Sequence, residues 1–199
     1  MNRSEDRILT THAGALARPL DVQELFVSAH LGEPHDHELY EETLRSSVAG
    51  VVRDQVDLGI DVVNDGEYSK PTYIHYLVER LSGVEFQPAS DNAIMSASKE
   101  QQDFAEFYAD LGGDTMYMQK AEQRLYSMVT MDVVCTGPIK YIGQDLVKRD
   151  IENLKAAVAA TGGQEAYMAV VAPGTIRPFL RNEYYDTEEE FYGALSSAL

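Results

Sequence analysis

Basic residues are scarce in this sequence: 16 Lys and Arg stand against 33 Asp and Glu in 199 residues, a formal net charge of -17. Phosphate recognition rests on Lys and Arg, so a nucleic-acid or anionic-membrane surface is excluded as the ordinary reading. Cysteine occurs once, at Cys135. That excludes an internal disulfide framework and any zinc site built from several cysteines of this chain, and it points to a cytoplasmic protein. Long apolar runs are missing too. No stretch reaches the roughly 18 apolar residues of a membrane span, and no apolar segment follows the polar start Met1-Asn2-Arg3-Ser4-Glu5-Asp6-Arg7 as a secretory signal requires. Phosphate-loop, dinucleotide-binding and nucleophile-elbow motifs are absent as well.

What is present is a globular composition, 44% hydrophobic and 25% charged, enough for one good core or at most two small ones. Over 41–58 the apolar residues Leu44, Val48, Val51, Val52 and Val56 recur with a helical period, and Gly59 closes the pattern. A second helix is expected over 144–160, with Val147, Ile151, Leu154 and Val158 on one face and Gly162-Gly163 as its stop. Four short apolar segments read as strands: Ile8 to Thr11, Ile60 to Val63, Val133 to Cys135 and Tyr167 to Val171. Each runs into a glycine-containing turn, at His12-Ala13-Gly14, Asp65-Gly66, Thr136-Gly137-Pro138 and Pro173-Gly174. The uninterrupted apolar run at 167–171 is typical of a strand covered on both faces. Strands alternating with helices imply a parallel α/β architecture, with function gathered where the strands end.

The stretch 87–131 breaks this rhythm. Its polar start and a helical pattern over 116–128 mark it as an insertion within one domain. At the other end, Thr187-Glu188-Glu189-Glu190 has the spacing of a capping box, and Phe191, Leu195 and Leu199 form the apolar stripe behind it. The stripe runs to the last residue without an end signal, so a truncated helix is expected.

The most informative cluster of polar groups is Asp65-Gly66-Glu67, where two carboxylates end a buried strand beside a glycine that lets the backbone turn sharply. Such carboxylates hold a substrate ammonium or act as a base; a solvated Asp/Gly turn has the same pattern. His12, in the loop after the first strand, is either a hydrogen-bond donor, a metal ligand or a satisfied polar group. Gly14 can offer backbone N–H groups to a carboxylate. His35-Asp36-His37 has the spacing of a metal pair but lies in a polar surface segment, and Cys135, between valine and threonine at a strand end, reads as packing.

In order along the chain, these blocks resemble the catalytic barrel of cobalamin-independent methionine synthase. The stretch Leu58-Gly59-Ile60-Asp61-Val62-Val63-Asn64-Asp65-Gly66-Glu67, with Tyr73, Tyr76 and Leu81-Ser82-Gly83 behind it, is similar to the family's strand-two region. Thr10-Thr11-His12-Ala13-Gly14 with Arg18-Pro19 resembles its first-strand loop, and Thr136-Gly137-Pro138 its T-G-P turn. Ala172-Pro173-Gly174 with Asn182-Glu183-Tyr184-Tyr185 looks like the short, archaeal-type branch.

The resemblance implies a TIM (β/α)8 barrel, here incomplete: residues 1–199 would be its N-terminal half, about four βα units. It implies methyl transfer from the N5 of 5-methyltetrahydrofolate to the sulfur of homocysteine, with zinc converting the thiol to thiolate and no cobalamin. By the same resemblance Glu67, with Asp65 beside it, matches the glutamate that holds the amino group of homocysteine. His12, Gly14 and Ala15 match the loop that takes the amino acid's other groups. Ala15 stands where the family has serine, which removes one hydroxyl donor. The family's zinc ligands come from the second half of the barrel, so no residue here is assigned to the metal, and the chain by itself is expected to be inactive. Two other readings stay open: an epoxide:thiol transferase of the same superfamily, and a non-catalytic α/β module that binds an amine or amino acid through Asp65 and Glu67. The partners implied are small molecules, with neither nucleic acid nor membrane among them.

Overall fold

A computed structural model describes residues 3–88, 103–110 and 131–199. In chain order the elements are α1 (Leu20–His30), α2 (His37–Asp57), β1 (Val62–Val63), α3 (Tyr73–Val78), β2 (Leu81–Gln87), α4 (Ala105–Asp110), β3 (Asp132–Tyr141), α5 (Gln144–Ala160), β4 (Glu165–Ala166), α6 (Pro173–Ile176), β5 (Leu180–Asn182) and α7 (Glu188–Ala198). They divide into two compact units, one of residues 1–73 and 143–170, the other of residues 74–142 and 171–199. The helical pattern expected over 116–128 lies outside the described residues.

The first unit is organised by α2. Asp36 caps it, its carboxylate accepting from the Leu39 N–H at 3.0 Å, so the His-Asp-His stretch begins a helix. The buried face of α2 is Tyr40, Leu44, Val48, Val51, Val52 and Gln55. The expected stripe is therefore present except at its end, where Gln55 is buried in place of Val56. On α5 the buried residues are Asp150, Leu154 and Ala157, while Ile151 is exposed. Arg149 ties α5 to α2, donating to Glu41 at 2.9 Å and to Asp150 at 2.8 Å. Burial opposes the charge of this guanidinium, but Asp150, Tyr40 and Glu41 outweigh it and raise its pKa.

In this unit β1 runs parallel to β4, pairing Val62 with Glu165 and Val63 with Ala166. The strand expected at 8–11 shrinks to one parallel bridge, Thr11 to Val62. The reason is a side chain. Asp61 accepts from the Thr10 N–H at 2.8 Å and pairs with Arg7, while the Thr10 carbonyl takes both the Asp61 and Val62 N–H groups. The side chain of Asp61 thus occupies a donor that a ladder would use. Its carboxyl is held well below the usual range, first by Arg7 and then by the Thr10 N–H. The apolar run at 167–171 is not a doubly covered strand either: β4 lies just before it, and Val170 is 79% exposed.

The second unit has a three-stranded sheet in the order β2-β3-β5, with β2 antiparallel and β5 parallel to β3. The all-parallel expectation fails here because β2, which the sequence reading did not anticipate, returns as a hairpin partner. Gln87, the first residue of the expected insertion, and Asp132, the residue after its last, face each other in the register. The segment read as the Thr136-Gly137-Pro138 turn lies inside β3. Between the pairs Ser82–Lys140 and Val84–Cys135 only Gly83 faces residues 136–139, so β3 bulges there. Gly83 has φ +71, and a Cβ on it would stand 2.4 Å from the Gly137 carbonyl oxygen. The Ile139 N–H, left over by the bulge, donates to the Tyr185 hydroxyl at 2.9 Å.

The core of this unit gathers Ile74, Leu77, Leu81, Val84, Val133, Cys135, Ile139, Ile176, Leu180, Phe191 and Leu195. Phe191 and Leu195 come from α7, which opens as expected: the Thr187 hydroxyl accepts from the Glu190 N–H at 3.2 Å. Leu199, the third residue of the stripe, is 44% exposed. His75 is buried and stacked on Phe86 with ring centroids 4.5 Å apart. Burial lowers its pKa to about 4. Among the described residues the strands form two separate sheets, and no closed barrel is seen. Among the same residues no helix is long and apolar enough to cross a membrane.

Two predictions follow from this packing. Gly83→Ala combines a left-handed backbone with a clash against backbone, so urea denaturation should show a loss of about 2–4 kcal/mol; an unchanged midpoint would mean the bulge is not held as described. The neutral form of His75 is favoured by folding, so the unfolded chain binds the extra proton between the ordinary pKa near 6.5 and the folded value near 4. Its contribution is complete above pH 6.5 and declines as pH falls toward 4. Melting of the wild type should drop by roughly 5 °C more between pH 7 and pH 5 than melting of His75→Gln, and equal drops would overturn this assignment.

Candidate functional site

The candidate residues collect in the first unit, where the loop after Thr11 lies against the turn after β1. Gln55 reaches from α2 to the end of β1, accepting from the Asn64 N–H at 3.1 Å and donating to the Asn64 carbonyl at 2.8 Å. Asn64 then uses its own side chain in both directions. Its Nδ2 donates to the His12 carbonyl at 2.7 Å, and its Oδ1 accepts from the Gly66 N–H at 2.8 Å. Asp65 repeats the motif one residue later, accepting from the Glu67 N–H at 3.0 Å. Two successive side-chain caps of this kind curl the chain tightly.

The curl places Gly66 at φ +63 and Glu67 at φ +58. Glu67 is the one non-glycine residue with positive φ among the described residues, a conformation that costs about 1–2 kcal/mol for a residue with a Cβ. Such strain persists where neighbours over-determine it, and it concentrates at functional turns. The neighbours here are explicit. The Leu16 N–H donates to the Gly66 carbonyl at 3.0 Å and the Tyr68 hydroxyl to the Ala17 carbonyl at 2.9 Å. Arg18, buried, donates to the carbonyls of Tyr68 at 3.1 Å and Glu67 at 3.0 Å and also to that of Lys70. From the β4 side, Tyr167 donates its hydroxyl to the His12 carbonyl, and Lys70 donates to the Ala169 carbonyl at 2.6 Å.

Asp65 is 3% exposed, with one oxygen spent on the turn. Glu67 is only partly buried. Gly14 and Ala15 are exposed, and Gly14, at φ +104, has open space around its Cα. The Nε2 of His12 and the Oγ of Ser69 are buried atoms with no hydrogen-bond partner in the protein. The structure thus brings His12, Gly14, Ala15, Asp65 and Glu67 onto one pair of joined loops.

Sequence reasoning missed the residues that join them: Gln55, Asn64, Tyr68, Lys70 and Tyr167. One signal was available. Gln55 is a polar residue at a stripe position of an otherwise apolar helix face, which is where a buried amide with a specific task stands.

The donor set does not fit zinc. Among the described residues no group of three or more His, Cys, Asp or Glu could hold a metal ion. Cys135 is buried in β3, burial pushes its thiol pKa up, and its Sγ donates to the Gly137 carbonyl at 3.4 Å. Cysteine binds zinc as the thiolate, and this environment favours the thiol.

Known proteins resemble this chain in sequence and in fold. Residues 8–170 match the family profile described as cobalamin-independent synthase, catalytic domain. A methionine synthase from Sulfolobus acidocaldarius is 28% identical over 181 residues, which cover 91% of this chain and 42% of that protein. A 5-methyltetrahydropteroyltriglutamate–homocysteine methyltransferase from Thermotoga petrophila is 29% identical over 75 residues, 38% of this chain and 10% of that protein. Two solved structures share the fold. A protein from Listeria monocytogenes assigned as a vitamin-B12-independent methionine synthase superposes with a TM-score of 0.60 at 18% identity, over 96% of this chain and 47% of that one. The B12-independent methionine synthase of Shewanella sp. W3-18-1, solved with selenomethionine, gives 0.55 at 16% identity, over 95% and 45%. The chain spans less than half the length of these relatives. With most of its residues matched by the family profile, the chain belongs to the cobalamin-independent synthase catalytic-domain family.

Proposed function

We propose that this chain supplies the amino-acid-binding part of a methyltransferase that moves a methyl group from 5-methyltetrahydrofolate to a thiol such as homocysteine. The observation that carries the reading is the joined pair of loops, in which a partly buried Glu67 is held in a left-handed conformation beside the exposed Gly14 and Ala15. Family membership supports it, as does a fold relative solved with a methionine analogue.

In this reading the Glu67 carboxylate accepts from the substrate ammonium, a charge-assisted contact. The N–H groups of Gly14 and Ala15 receive the substrate carboxylate, a task that backbone performs without the missing serine hydroxyl. His12, with its unpartnered Nε2, faces the same ligand. Asp65 acts on the ligand through Glu67, whose N–H it accepts. Zinc activation of the thiol, which the family's chemistry uses, draws on none of the residues described above, and the methyl-folate donor is assigned no contact here.

Calorimetry tests the amino-acid site. Homocysteine or methionine should bind the wild-type chain, and Glu67→Gln should weaken binding about 10-fold or more, the worth of one charge-assisted hydrogen bond. Equal affinity would remove Glu67 from the site, and binding of unrelated amines as tightly as of amino acids would favour a general amine-binding module. Activity assays on the whole transferase, with methyl-folate against epoxide donors, separate methyl transfer from epoxide:thiol transfer.

Metal content gives an independent check. After dialysis the purified 199-residue chain should hold no stoichiometric zinc. One tightly bound zinc per chain in elemental analysis would overturn the assignment of the metal site to other residues.

A further inference from the structure

Arg18, one of the neighbours of the turn, has no part in the ligand contacts proposed above. It follows the first loop, is 7% exposed, and packs one face of its guanidinium over the ring of Phe26, 4.3 Å from the centroid. Its N–H groups donate to the carbonyls of Glu67, Tyr68 and Lys70. Gln23, also buried, donates to the Arg18 carbonyl at 2.7 Å and so fixes the backbone from which the side chain extends. In an extended chain successive carbonyls point to opposite sides. Three carbonyls within four residues converge on one cation only if the backbone between them is curled. The residue that carries the curl is Glu67, with its φ of +58.

We propose that Arg18 is the positioning residue of the amino-acid site: by gathering the carbonyls of residues 67, 68 and 70 it sets the left-handed backbone that presents the Glu67 carboxylate. The proposal rests on the reading of Glu67 given above. A buried cation that donates to three main-chain oxygens is a scaffold for a loop, and arginine suits the task better than lysine. The planar fork serves several diverging acceptors at once and stacks on an aromatic ring, whereas an ammonium offers a compact point charge. The Asx caps of Asn64 and Asp65 curl the turn from its amide side; Arg18 holds the same turn from its carbonyl side.

The test uses the full chain with Arg18→Lys, which keeps the charge, and Phe26→Leu, which keeps the arginine and removes the ring beneath it. Amide hydrogen exchange is read at residues 67–70, with α2 and α5 as internal references. Affinity is read as the ratio between homocysteine and 4-mercaptobutyrate, its analogue without the amino group. In Arg18→Lys, exchange at the turn should rise at least 10-fold while the references hold. The preference for the amino compound should fall by a similar factor, with affinity for 4-mercaptobutyrate unchanged. Phe26→Leu should give a smaller change of the same sign, and it carries the test if Arg18→Lys fails to fold.

Unchanged exchange at 67–70 would overturn the proposal. So would faster exchange with the preference intact, because the turn's shape would then not govern amine recognition. If the wild type shows no preference for the amino compound, the reading of Glu67 fails, and the exchange data still report whether Arg18 holds the turn.

Discussion

The first unit depends on one buried amide. Gln55 sits on the apolar face of α2 and offers an oxygen and a nitrogen to the main chain of Asn64, as a neighbouring strand would. A strand as short as β1 has few ladder bonds of its own, so the polar groups at its end need partners elsewhere. Gln55 provides them, and from that fixed point Asn64 reaches the His12 carbonyl. Replacing the amide by an apolar group would leave a buried N–H and a buried carbonyl unsatisfied, at about 1–3 kcal/mol each. The helix thereby sets both the position of the turn and its separation from the first loop.

The second unit solves a different problem. Its sheet must accommodate a proline and two glycines in the stretch where β2 and β3 pair, and it does so by letting β3 carry the surplus residues opposite Gly83. Main chain meets main chain there, with no room for a side chain. The Tyr185 hydroxyl serves the displaced Ile139 N–H, and the Tyr185 ring lies 5.9 Å from that of Phe191, so the same residue links the bulge to the core beneath α7.

Much of this was legible in the sequence where a signal is local. The span of α5, the cap at Thr187 and the turn after Val63 all follow from side chains acting on neighbouring residues, and they appear as read. Pairing partners were not legible. Ile8 to Thr11 has the composition of a strand, but Asp61, some fifty residues away, occupies the donor at Thr10. The strand β2 carries a glycine bulge that breaks its alternation, and its antiparallel course is set by a partner distant in sequence. Within the candidate site the acidic turn was visible because carboxylates and glycine advertise it. Gln55 and Tyr167 were not, since each acts on the main chain of another element, a pairing that no local pattern records.

The facing pair Gln87 and Asp132 has a consequence for how this chain can vary. The pairing of β2 with β3 stops at Gln87 on one strand and begins at Asp132 on the other. Ring-closure entropy grows only with the logarithm of the connecting length, so doubling that excursion costs about 0.6 kcal/mol. The register fixes where the excursion starts and ends and is nearly indifferent to its size, so length can change at this junction while β2 and β3 keep their pairing.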